Sequence, residues 1–99
     1  MLEYNRLWTF TSTGAGAWED AFHAREHNFI VETAAGSTAT VVIEQRRSNG
    51  SVAVQLGTSM NLDASSGTSQ QLTGAFYQVR ARVTDMTSTG TVYVQGVGN

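Results

Sequence analysis

The chain has 99 residues, the size of one domain, with no cysteine, no proline and a formal net charge of −2. The lack of cysteine excludes disulfide bridges and thiolate sites, whichever redox compartment the chain occupies. All six basic residues are arginine and acidic residues outnumber them, unlike the clustered basic excess of nucleic-acid binders. No stretch approaches the roughly 18 apolar residues of a membrane span, and residues 1–10 do not resemble a secretory signal. We therefore expect neither nucleic acid nor membrane as a partner.

The N-terminal third predicts one strand and one ambiguous segment. Residues 1–5 are expected to form a short flexible arm ahead of a single domain at 6–99. Residues 6–12 alternate as a first strand. Residues 17–27 contain no glycine or proline, and they predict either an irregular connection with a short strand near 19–22 or one short helix.

The middle of the chain predicts a strand at residues 28–33 and then a hairpin. Residues 38–47 and 51–58 flank Asn49-Gly50, and Asn-Gly between alternating runs is typical of a tight two-residue turn. The alternation directs five side chains inward: Val41, Ile43, Val52, Val54 and Leu56.

The C-terminal part contains the clearest alternation of the chain, at residues 76–84. Ahead of it, residues 60–62 predict a short strand or an extended link, and residues 69–73 a weak strand. Residues 91–95 predict the last strand. The pattern directs these side chains inward: Tyr77, Val79, Ala81, Val83, Val92 and Val94.

These segments predict an all-β fold of seven or eight short antiparallel strands, with a turn about every 8 to 12 residues. That spacing is typical of a single β-sandwich. Jelly-roll and immunoglobulin-like topologies both remain open, because both spread the same short strands over two sheets.

The sharpest chemical motif runs from His23 to His27 (HAREH) and matches the H-x-x-E-H pattern of zinc proteases. Those enzymes need a helix and a further ligand, whereas this chain has only these two histidines. A polar, partly exposed loop is the favoured interpretation, and a small hydrolase using His23 and His27 is the weakest hypothesis. The loop at 63–67 has one carboxylate, too few to predict a calcium site. We predict no catalytic residue, no metal site and no cofactor.

A contact surface is predicted on the side of the strands opposite to the core. Aromatic residues alternate away from the inward positions there, and two arginines accompany them; such residues are enriched at protein interfaces. The predicted surface consists of Trp8, Phe10, Phe76, Arg80, Arg82 and Tyr93. A solvated sheet face is the alternative, and exposed aromatics could also stack on sugars.

The strand layout resembles that of small virion proteins of tailed bacteriophages. The matching runs are residues 29–31 (Phe-Ile-Val), 38–44, 48–50 (Ser-Asn-Gly), 77–84 and 89–94. They span the chain from Phe29 towards its C-terminus.

The resemblance implies a structural, non-enzymatic protein, made in the host cytoplasm and bound to the capsid surface. Head decoration (cement) proteins of this kind contact the major capsid protein lattice and their own copies, often as a homotrimer, and residues 1–7 would help attachment. Lambda-type decoration proteins carry a proline-rich N-terminal arm that this proline-free chain lacks. A carbohydrate-binding β-sandwich of a phage fibre or a secreted enzyme is the alternative function.

Overall fold

All regular structure in the computed structural model is β-strand, and the model describes residues 1–34, 37–63, 66–87 and 90–99. The strands in these ranges are β1 (Tyr4–Phe10), β2 (Gly14–Ala15), β3 (Glu19–Asp20), β4 (Glu26–Thr33), β5 (Ala39–Arg46), β6 (Val54–Leu62), β7 (Gly67–Thr73), β8 (Gln78–Met86) and β9 (Val92–Gly98). The helical alternative for residues 17–27 is therefore wrong, and the connection with a short strand is confirmed. Nothing in the described ranges forms a helix able to cross a membrane. The loop at 63–67 lies partly outside those ranges.

The strands form two antiparallel sheets that pack as a β-sandwich. The first sheet has the order β1-β9-β4-β7, and the second has the order β8-β5-β6 with β2 and β3 both paired to the free side of β8. The pairs are nested in sequence: β1 with β9, β2 and β3 with β8, β4 with β7, and β5 with β6. Two further pairs complete the sheets: β4 also pairs with β9 in the first sheet, and β5 also pairs with β8 in the second.

This nested order is that of a jelly roll. An immunoglobulin-type sandwich pairs its first strand with the second strand of the chain, whereas here the first strand pairs with the last. Of the two topologies that the sequence allows, the structure therefore has the jelly roll.

The core lies between the sheets, where inward side chains from both pack together. Eight positions predicted to face inward are buried: Val41, Ile43, Leu56, Val79, Ala81, Val83, Val92 and Val94. The alternation in residues 78–84 and 92–95 is thus confirmed, because β5, β8 and β9 are interior strands of their sheets whose inner sides are covered by the opposite sheet.

Three residues predicted to face inward are exposed. Tyr77 is 57% exposed because β8 begins only at Gln78, so strand alternation does not extend to it. Val52 is 70% exposed because it lies before β6, in the connection at 47–53. Val54 is also exposed, at the first position of β6.

The predicted hairpin exists, but its two-residue turn does not. The amide of Gly50 donates to the carbonyl of Arg47 at 2.8 Å, and Asn49 has a positive φ of 54° whereas Gly50 does not. This hydrogen bond closes a turn whose central residues are Ser48 and Asn49 rather than Asn49 and Gly50, and the whole connection runs from the end of β5 at Arg46 to the start of β6 at Val54. Residues 60–62 belong to β6, whose register against β5 shifts between Val41 and Ile43.

The first strand turns its large aromatic side chains inward, contrary to the sequence prediction. Trp8 and Phe10 are buried, and the indole of Trp8 lies 6.4 Å from the ring of Phe29, centroid to centroid. The indole Nε1–H donates to the carbonyl of Ala17 at 2.8 Å, which satisfies its polar atom inside the core. β1 also begins earlier than predicted, since Tyr4 and Asn5 pair with β9 rather than forming an arm.

The packing of Trp8 and Phe29 depends on Gly96 of β9. A Cβ atom at Gly96 would lie 2.7 Å from the Trp8 ring and 3.0 Å from the Phe29 ring. Both rings are held in the core, so neither can withdraw cheaply.

We expect Gly96→Ala to lower the free energy of unfolding by about 1–3 kcal/mol, the usual cost of overpacking. Urea unfolding followed by tryptophan fluorescence measures the change. Gly67→Ala is the matched control, because its Cβ would meet nothing closer than 3.3 Å. Equal effects of the two substitutions would contradict the role assigned to Gly96.

Candidate functional site

The outer face of the second sheet carries a connected cluster of polar side chains. Along β8, Val79 and Ala81 point into the core, so Arg80 and Arg82 point outward. Arg80 lies opposite Glu44 of β5 in the strand register. The strand alternation therefore places these three charges side by side on a rigid surface.

Glu44 lies at the base of this cluster and is only 6% exposed. Its Oε1 accepts a hydrogen bond from Arg80 Nε at 2.8 Å, and its Oε2 accepts one from Arg82 Nη1 at 3.5 Å. The first is a good ion pair, whereas the second is at the limit of a hydrogen bond. The Arg82 side chain is 49% exposed and its guanidinium is only loosely held.

Trp18 packs against two of the arginines. Its side chain comes from the segment between β2 and β3. The amide of Gly16 in this segment donates to the carbonyl of Ala81 in β8, and the amide of Ala21, just after β3, donates to the carbonyl of Tyr77, just before β8. The guanidinium carbons of Arg80 and Arg46 lie 4.3 Å and 4.6 Å from the centroid of the Trp18 ring. Both distances are within the range of cation–π attraction, so the ring fixes the two cations in place.

Gln78 extends the cluster towards the edge of the sheet. Its Oε1 accepts a hydrogen bond from Arg46 Nε at 2.7 Å, and its Nε2 donates to Asp20 Oδ1 at 2.8 Å. Arg46 also donates through Nη1 to the carbonyl of Gly50 at 3.1 Å. We call the set the arginine–tryptophan face, and it consists of Trp18, Glu44, Arg46, Gln78, Arg80 and Arg82.

The chemistry of this face is recognition of anions. Guanidinium groups held by stacking and hydrogen bonds offer planar pairs of N–H donors to carboxylate or other oxyanions. Their positions are set before a ligand arrives, which lowers the entropy cost of binding.

The structure divides the six residues of the predicted contact surface. Arg80 and Arg82 belong to the arginine–tryptophan face, whereas Trp8 and Phe10 are buried in the core. The other two lie elsewhere, Tyr93 exposed on the outer face of the first sheet and Phe76 half-buried. The six therefore do not share one surface.

Sequence reasoning missed Trp18, Glu44, Arg46 and Gln78. Their signal is present but weak: Glu44 and Arg46 alternate with inward residues of β5, as Gln78 does with those of β8. Only the pairing register of β5 with β8 brings them together.

The histidines of the H-x-x-E-H motif are separated by the fold. His27 lies in β4 and is fully buried, whereas His23 is exposed with its ring 4.2 Å from that of Phe22. His23 lies in the turn ahead of β4, and of the motif only Glu26 and His27 belong to the strand, so the helix that would bring both histidines to one face does not form here. Within the described ranges, no three His, Cys, Asp or Glu side chains come close enough to hold a metal ion.

Both ring nitrogens of His27 are engaged inside the protein. Its Nε2 lies 3.0 Å from the carbonyl oxygen of Gly74, which can only accept, so Nε2 carries the proton. Its Nδ1 lies 2.8 Å from the Tyr4 hydroxyl and accepts from it. Phe76 packs against the same imidazole, with ring centroids 4.6 Å apart. His27 is thus a structural residue that joins β1 and β4 to the connection between β7 and β8.

Burial lowers the pKa of His27 below its ordinary value, and the positive charge of Arg25 lowers it further. The hydrogen bond to Gly74 opposes this pKa shift without reversing it. Burial also raises the pKa of Tyr4, and the charge of Glu19 adds to that increase. The pair is therefore neutral at pH 7.

A shallow aromatic groove lies at one end of the sandwich. It encloses about 260 Å³ and is lined by Phe22, Arg25, Ala75, Phe76 and Tyr77. The rings of Phe22 and Tyr77 are both exposed, with centroids 6.5 Å apart. Such a groove is too small to enclose a drug-sized ligand, but it can present flat rings to a partner.

No protein-family model matches this chain, and no curated protein is significantly similar to it. A proposal of function therefore depends on the residues of the chain itself.

We expect the free energy of unfolding to fall as the pH decreases below about 6.5, with a slope of at most about 1.4 kcal/mol per pH unit from His27. The unfolded chain takes up a proton in this range, whereas the buried imidazole does not. His27→Gln should remove this slope between about pH 5.5 and pH 7, above the range in which carboxylates titrate. Urea unfolding at several pH values measures it.

His23→Gln is the matched control, because His23 is exposed. This variant should keep the slope of the unsubstituted chain. Loss of the slope in His23→Gln, or its retention in His27→Gln, would contradict the assignment.

Proposed function

We propose that this chain is a structural virion protein of a tailed bacteriophage that decorates the head shell as a cement protein. The observation that carries the proposal is the outer face of the first sheet, which has the composition of a protein interface. The resemblance of residues 29–31, 38–44 and 77–84 to small phage virion proteins adds to it. The jelly-roll topology adds a fold-level analogy, since viral capsid domains often use it.

The outer face of the first sheet is poor in charge. Its central row runs through Leu7, Gln95 and Ile30, which lie opposite one another on β1, β9 and β4. In the next row Tyr93 lies between Thr9 and Glu32. Leu7, Ile30 and Tyr93 are all exposed.

Polar residues on this face are mostly amides and hydroxyls, and Gln95 Nε2 donates to Asn5 Oδ1 across β1 and β9. Among the outward positions of the described strands in this sheet, the carboxylates are Glu26 and Glu32, at the two ends of β4. Depletion of charge around exposed apolar and aromatic residues distinguishes interface cores from ordinary surface.

A cement protein needs one surface for the shell and another for its own copies. We assign the charge-poor face of the first sheet to the major capsid protein lattice. The open sides of β1, β7 and β6 offer strand edges to neighbouring copies in a homotrimer. In this proposal the chain acts without catalysis or cofactor, is made in the host cytoplasm and functions on the capsid surface.

We expect Ile30→Glu to abolish attachment to heads while leaving the thermal stability unchanged, because the new charge is exposed in the free protein and buried in the contact. The test uses virions assembled from the genome that encodes the chain, with an epitope-tagged copy in place of the native one. Immunogold electron microscopy then locates the tag. Light scattering gives the solution mass, and three copies of the 10.6 kDa chain are expected.

Val52→Glu is the control, because Val52 is an exposed β-branched residue in the connection between β5 and β6, outside the strands whose face or edges are assigned to contacts. It should label heads as the unsubstituted chain does. Unlabelled virions would contradict the proposal, and label confined to tails would contradict the cement role.

A carbohydrate-binding module is the second candidate, favoured by the exposed rings of Phe22 and Tyr77 beside Arg25. Aromatic rings stack on the apolar faces of sugars, and jelly rolls also occur among lectins. The groove is open at the surface, as a site for the end or side of a glycan would be.

If this second function holds, the purified chain binds defined glycans on an array, and Tyr77→Ala reduces the signal at least about tenfold, as expected for loss of a stacking ring. Tyr93→Ala is the matched control, because Tyr93 is an exposed tyrosine on the outer face of the first sheet. A blank array at high protein concentration would exclude this candidate.

A further inference from the structure

Three of the six arginines of this acidic chain lie on one face. Arg46, Arg80 and Arg82 belong to the arginine–tryptophan face, and Arg47 follows at the end of β5. The carboxylates bonded within this network are Glu44 and Asp20. A molecule with a net charge of −2 therefore presents a local excess of positive charge.

Donors on this face remain available to a ligand. Among contacts between described residues, Arg80 engages Glu44 through Nε, so the outer N–H groups of its guanidinium are not used in that pair. Arg82 holds Glu44 only at 3.5 Å, and its half-exposed side chain can turn to a second anion at little cost. Trp18 and Gln78 fix the neighbouring cations, so the site is built before a ligand binds.

We propose that the arginine–tryptophan face binds a protein segment rich in carboxylates. Arg80 already forms a charge-assisted hydrogen bond with the carboxylate of Glu44. An Asp or Glu side chain of the bound segment would form the same kind of bond with Arg82, which holds Glu44 only weakly. This inference goes beyond the cement role and does not depend on it.

Two other occupants fit less well. Nucleic acid needs free aromatic rings for stacking or many cations for its phosphates, whereas the Trp18 ring already packs against Arg46 and Arg80, and the Glu44 carboxylate is paired with Arg80. A second copy of this chain offers no compact acidic cluster, because within the described ranges no three carboxylates come as close together as the ligands of a metal ion.

The experiment measures fluorescence anisotropy of a labelled ten-residue peptide of alternating Glu and Ser. The unsubstituted chain should bind it, and raising the salt from about 0.05 to about 0.5 M should weaken binding. Arg82→Gln should weaken binding about tenfold or more, as expected for loss of a charge-assisted hydrogen bond. Arg82→Lys should restore it only in part, because an ammonium lacks the planar pair of donors.

Arg25→Gln is the charge-matched control, because Arg25 is exposed at the aromatic groove and away from this face. It should bind as the unsubstituted chain does, and thermal unfolding confirms that each variant folds. Any of three results overturns the proposal: no binding of the peptide, an equal loss in Arg25→Gln, or tighter binding of a single-stranded DNA of equal charge.

Discussion

The structure depends on the pairing of strands that are far apart in the chain. The first strand pairs with the last, and each later pair nests inside the one before it, down to the hairpin of β5 and β6. Each sheet therefore combines residues from both halves of the sequence. Both faces discussed above follow from this constraint, because β9 brings Gln95 between Leu7 and Ile30 while β8 brings Arg80 beside Glu44.

The sequence predicts strands well where two conditions meet, which are clear alternation and an interior position in a sheet. Val79 and Val83 of β8 satisfy both and are buried as predicted. The predicted direction of the side chains is wrong for the first strand, because alternation defines two sides of a strand but does not say which side faces the core. The sequence predicts Trp8 on the outside, yet the carbonyl of Ala17 accepts a hydrogen bond from its indole N–H, which allows the indole to be buried. The predicted burial of Tyr77 is wrong for another reason: this residue precedes β8, and side chains alternate between the two faces only where the strand is paired.

The candidate site was only half predictable for a related reason. Arg80 and Arg82 alternate with buried residues, so their exposure on one side follows from the sequence. Their partners Glu44 and Trp18 come from segments joined to β8 by strand register alone. Local periodicity carries no register, so neither the ion pair nor the stacking could be inferred before the sheet order was known.

The pairing of the first strand with the last also fixes how the molecule responds to force. Tyr4 lies opposite Gly98, so both ends of the chain leave the first sheet at the same corner. A force applied between the termini breaks the hydrogen bonds of β1 and β9 one at a time, starting at Tyr4 and Gly98, instead of loading all of them at once. Anchored through its two termini, the chain would yield at low load. Anchored through the face of the sheet, it would share the load among many contacts, which is the stronger way to fasten a small β-domain to a surface under tension.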